Sequence, residues 1–213
     1  MCWYQFFGSS MEIRNSADVL LRQLFAEFGR HSEFIYGLIL FVVFLVIMYF
    51  NRNSVKEGRL KFSFLFVMLA ESMLWCIGFI MIMSVSEKLL LSILERNIIP
   101  EQFYLAIGAG IWEELLFRIG AIGMIMLILK QIIGYSGTFS VVIAIFCAAG
   151  LFSLFHYLGP FGDVFTYKSF ILRAIAGIFL GALYIFRGFG ITVYTHIFYD
   201  MAIISMPVML IRN

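Results

Sequence analysis

Six apolar runs, at roughly 34–50, 62–85, 101–129, 139–158, 169–186 and 189–211, follow one another with only short polar breaks between them. A bilayer's hydrocarbon core, about 30 Å thick, is crossed by about 20 residues of helix, and inside it a chain must satisfy its own backbone hydrogen bonds. Runs of this length and spacing therefore read as membrane helices. A water-soluble alternative is excluded by composition: of 213 residues 62% are hydrophobic, 25 are Phe and only 13% are charged, more apolar surface than one soluble core could hide. The expected fold is all-α, a polytopic membrane helix bundle of about six transmembrane helices formed by residues 34–213 as one transmembrane domain.

The rest of the chain fits around those runs. In residues 1–33, Val19, Leu20, Leu24, Phe25 and Phe28 alternate with Arg14, Arg22, Glu27 and Arg30 at helical spacing, which predicts an N-terminal amphipathic helix lying on the membrane surface. No small-residue cleavage site follows the first apolar run, so it does not read as a secretory signal. Arg52, Lys56, Arg59 and Lys61 against Glu57 form the densest basic cluster, placing that loop on the cytoplasmic side. Pro100 suits a helix start, Gly134 to Gly137 a turn, Gly159-Pro160-Phe161-Gly162 a stop, and Pro207 a kink in the last run. A net charge of +2 with dispersed basic residues argues against a nucleic-acid partner. Cys2, Cys76 and Cys147 read as small packing residues rather than a disulfide or metal set.

Within the spans the ionisable residues are few: Glu71, Glu113, Glu114, Arg118, His156, Arg173, His196 and Asp200. A charge near the centre of a membrane helix costs about 2.5 to 3.5 kcal/mol on insertion scales, so each needs a partner or a function. At about 100° per residue, Glu114 and Arg118 share a helix face while Glu113 points away from the arginine. Arg118 can thus neutralise Glu114, leaving Glu113 as a carboxylate free to act as a general base. His156 follows Phe152 by one helical turn, and His196 and Asp200 stack an imidazole on a carboxylate at the same spacing. Glu71 and Arg173 match no pattern and are expected to pair across the second and fifth spans, or Arg173 to reach the interface.

Glu-Glu-x-x-x-Arg at 113–118, Phe-x-x-x-His at 152–156 and His-x-x-x-Asp at 196–200 occur on successive spans in the order that marks the CAAX-protease and bacteriocin-processing (Abi, Rce1-like) intramembrane proteases, which this chain resembles over about 101–211. The resemblance implies a glutamate-dependent endopeptidase whose substrate is a membrane-associated peptide or a prenylated, C-terminally anchored protein. Glu113 and His156 would activate a water, His196 and Asp200 would serve the oxyanion, and Glu114 and Arg118 would support the base. Where relatives often have Asn, this chain has Asp200, which would orient His196 and keep it charged rather than donate. No cofactor is expected. Two histidines and several glutamates could bind zinc, but His-Glu-x-x-His is absent, and water activation without metal is the favoured reading. A short six-span chain fits the cell (cytoplasmic) membrane, with membrane lipid and substrate as its partners. Three rivals remain. Gly134-Tyr135-Ser136-Gly137 is similar to a rhomboid-type serine motif, though a turn accounts for it better. Tyr199-Asp200 resembles a presenilin-like aspartyl motif whose Gly-x-Gly-Asp partner is missing. A proton-coupled transporter or an immunity-type binder would use the same polar groups without cutting anything.

Overall fold

The computed structural model describes residues 62–90, 101–135, 137–158 and 162–205, with helical backbone also at Phe34, Ile35, Leu38, Phe41, Val42, Leu45 and Tyr49. The expected amphipathic helix at 1–33, the basic loop at 51–61, Pro100, Ser136, most of the Gly-Pro-Phe-Gly stop and Pro207 lie outside the described residues. Among the described residues between 62 and 205 every regular element is helical. They are α1 (Phe62–Leu90), α2 (Glu101–Glu114), a π-helical segment (Leu115–Ile122), α3 (Gly123–Gln131), α4 (Thr138–Phe155), α5 (Tyr167–Arg187) and α6 (Phe189–Ser205). α2, the π segment and α3 run on without a break as one rod.

Among the described residues three stretches are long and apolar enough to cross a membrane: Ser63–Ser86 in α1, Thr138–Phe155 and Tyr167–Arg187. Their outward faces carry large apolar side chains, among them Phe64, Phe66, Leu74 and Met81 on α1 and Phe139 and Phe146 on α4, as a lipid-facing surface requires. The rod from α2 to α3 and the shorter α6 carry the Glu-Glu-Arg and His-Asp motifs.

Lipid offers apolar side chains no reason to leave it, so these helices associate through close packing and interhelical hydrogen bonds. α4 and α5 meet at small residues. A Cβ on Gly177 would lie 2.9 Å from Ala149 Cα, and one on Gly181 3.1 Å from Ile145 Cγ2. Ala144 and Ala148 on the same helix close over Ile122 of the π segment. α6 packs between α1 and α2. Ser72 Oγ reaches Ile191 O at 3.4 Å, and Thr195 Oγ1 donates to Ser72 O at 3.3 Å. The Thr166 side chain accepts from Ser169 N at 3.2 Å and caps the start of α5. At its other end Gly188, with φ +82°, turns the chain straight into α6, a conformation that glycine adopts without cost.

Glu71 and Arg173 do not pair with each other. Phe79 of α1 stacks on Phe179 of α5 with centroids 4.7 Å apart, and Glu71 pairs with Arg187, Nη2 to Oε2 at 2.6 Å. Going back along α1 from Phe79 to Glu71 matches going forward along α5 from Phe179 to Arg187, so the helices are antiparallel and this register leaves Arg173 on the other side of the Phe79–Phe179 stack from Glu71. Trp75 Nε1 also donates to Glu71 at 3.2 Å, and Arg173 turns instead to Asp163.

Candidate active site

Glu113 and Glu114 are the last two residues of α2, before the chain widens into the π-helical segment. π-helical turns are rare and gather at functional sites. Arg118, four residues on, donates from Nη2 to Glu114 Oε1 at 3.1 Å and brings Nε to 2.8 Å from Oε2, an ion pair with both side chains fully buried. The same carboxylate receives His196 from α6: His196 Nδ1 lies 2.9 Å from Glu114 Oε1. His196 Nε2 faces Asp200 Oδ2 at 3.6 Å, beyond a proper hydrogen bond. Both ring nitrogens of His196 thus look at carboxylate oxygens, which a doubly protonated ring would serve with its two N–H groups.

His156 is placed by the way α4 ends. Its backbone N–H contacts Ser153 O at 3.3 Å, tightening the last turn, and the carbonyl of Phe152 that a continued α-helix would have used is taken by the imidazole, Nδ1 to O at 2.9 Å. That bond fixes Nδ1 as the protonated nitrogen and leaves the Nε2 lone pair free. Nε2 lies 4.0 Å from Glu113 Oε2. Two acceptors cannot bond each other, but one water about 2.8 Å from each would meet them at an angle of about 90° and donate to both.

The Phe152 ring joins the two halves. Its centroid lies 4.9 Å from that of His156 and 6.4 Å from that of His196, and the Arg118 guanidinium stands over it at 5.2 Å. Phe117 packs edge-on against it at 5.2 Å. All six motif residues therefore meet in one place. Glu113, Glu114, Arg118 and His196 are buried, while the His156 and Asp200 side chains keep 20% and 26% of their surface and mark the open side.

Three motifs on three helices, from 113 to 200, converge on one cluster of polar side chains inside an apolar bundle. A family model described as type II CAAX prenyl endopeptidase Rce1-like matches residues 95–202, just over half of the chain, and takes in all three. The chain belongs to the Rce1-like family. No curated protein and no solved structure matches it. The Rce1-like match begins before α2 and ends inside α6, so α1 lies outside it although Ser72 and Phe79 of α1 hold α6 in place.

Two features were not visible in the sequence. The π segment is hinted at only by Gly120 within it and Gly123 just after. The bond from His196 to Glu114 joins residues 82 apart, and helix arithmetic reaches four. Glu114 accordingly serves His196 as well as its own arginine, more than support for Glu113.

Proposed function

We propose that this Rce1-like protein is an intramembrane endopeptidase that hydrolyses a peptide bond in a prenylated or otherwise membrane-anchored substrate. The observation that carries the reading is the buried Glu113 carboxylate facing the free Nε2 of His156 across 4.0 Å, with the neighbouring cation committed to Glu114. A water held there gives one proton to Glu113 while its oxygen bonds to the scissile carbonyl carbon. Negative charge then develops on the carbonyl oxygen. His196 Nε2–H, only loosely held by Asp200, is free to donate to it, and Glu114 fixes the ring from behind. As the tetrahedral intermediate collapses, the C–N bond breaks and the proton on Glu113 passes to the leaving nitrogen, giving one carboxyl and one amino product.

These residues fit a resident metal poorly. His156 and Glu113 could supply two ligands, but both nitrogens of His196 are turned to carboxylates. No step of the proposed reaction therefore runs through zinc. The open side at His156 and Asp200 would admit an extended chain end, and the lipid-facing surface would hold its anchor; the cell membrane is the compartment proposed.

In purified protein assayed on an internally quenched farnesylated peptide, Glu113→Gln should lower cleavage by about 10²- to 10⁴-fold with membrane insertion unchanged. Ser136→Ala and a strong chelator should each leave activity intact. Cleavage that survives Glu113→Gln would point to a binder or transporter, and loss on Ser136→Ala to a serine protease.

A further inference from the structure

His156 holds its own helix end, yet its backbone is also gripped from beyond. The N–H of Asp163 donates to His156 O at 2.9 Å, satisfying one of the carbonyls that the end of α4 leaves open. The Asp163 side chain pairs with Arg173 on α5. Arg173 makes two further contacts: Nη1 donates to Ser169 Oγ at 2.8 Å, and its guanidinium lies over the Tyr157 ring at 5.2 Å. Tyr157, next to the histidine, gives its hydroxyl to the same Ser169 Oγ at 2.8 Å. One arginine therefore ties both the residue after His156 and the residue bonded to its carbonyl onto α5.

We propose that Arg173 is a positioning residue for hydrolysis. By pinning Tyr157 and Asp163 to α5 it sets the place of His156 and hence the 4.0 Å gap to Glu113. The proposal rests on the proteolytic reading above for its consequence but not for its geometry. A substrate carboxylate is the other thing an arginine near such a site could bind. Here the guanidinium already has a carboxylate, a hydroxyl and an aromatic face.

Two readouts separate the cases. On the internally quenched farnesylated peptide, Arg173→Ala should lower kcat by about 10- to 100-fold, as displacement of a reacting group by about 1 Å does, with KM nearly constant. Arg173→Lys should recover part of the loss. Asp163→Ala, which alters a side chain 58% exposed and so leaves the packed interior untouched, should reproduce the loss. The second readout does not need activity: the rate at which diethyl pyrocarbonate modifies His156, followed by mass spectrometry, should rise in both alanine variants. A raised KM at constant kcat would make Arg173 a substrate contact and overturn the proposal, as would an unchanged His156 modification rate. If wild type and Glu113→Gln cleave alike, the proteolytic reading fails while the modification result still decides the positioning.

Discussion

Arg118 is the residue on which the buried charges balance. It is fully buried, its partner Glu114 is fully buried, and that carboxylate also carries His196. Arg118→Met keeps most of the volume but takes the guanidinium from Glu114 and leaves it His196 alone, and breaking one side of a buried pair costs about 3 to 5 kcal/mol. Thermal unfolding in detergent should show a Tm several degrees below wild type together with loss of cleavage. Glu113→Gln should lose cleavage at an unchanged Tm, because Glu113 faces a histidine across a gap rather than closing an ion pair. Equal Tm losses in the two variants would mean that Glu113 is structural. The pairing of Glu114 with Arg118 was legible in the sequence because it is local, one turn of one helix. The partners of Glu71 and Arg173 were not, since they depend on the register between α1 and α5 and on a loop folding back toward its own helix.

At the scale of elements, the critical approach is α2 against α6. A Cβ on Gly110 would collide with Ile197 Cγ1 and come to 3.3 Å from Ile197 N. Gly110 lies one turn before Glu113 and Glu114, and Ile197 directly follows His196. A glycine here lets two backbones come close enough for His196 to reach Glu114 at 2.9 Å. Gly110→Leu should wedge the helices apart and abolish cleavage, while Gly108→Leu, where a Cβ would meet nothing within 4 Å, should keep it. Matching losses from both would show that the close approach is not what matters. Helix positions were readable from the apolar runs. The run expected at 139–158 is α4 at Thr138–Phe155, and the one at 169–186 is α5 at Tyr167–Arg187. The ends moved because local bonds decide them, the Thr166 cap at one and the imidazole of His156 at the other. The run at 101–129 does form one rod, but its middle is π-helical, and periodicity cannot distinguish an i→i+5 turn from an i→i+4 turn across so few residues.

At the scale of the whole molecule, the described residues partly reverse the usual distribution of polarity. Glu113, Glu114, Arg118 and His196 are inside, and many Phe, Leu and Met side chains, Phe66, Leu74 and Met124 among them, are outside. Composition alone announced the membrane, but which face of each helix meets lipid follows from packing: α4 has almost no amphipathic signature, and Ala144, Ala148, Ala149 and Phe152 face the bundle while Phe139 and Phe146 face away. Phe146, midway along α4 and 58% exposed, tests this. If that face lies in hydrocarbon, Phe146→Arg adds about 2.5 to 3.5 kcal/mol to inserting the helix and should shift protein into the fraction extracted by alkaline carbonate. Phe146→Leu should stay in the membrane and cleave normally. On a water-facing helix the arginine would cost little or nothing, because a lone surface phenylalanine makes few contacts worth keeping. Normal insertion and cleavage in Phe146→Arg would therefore place α4 against water or another polar surface, and would remove the lipid surface from which an anchored substrate is proposed to approach His156.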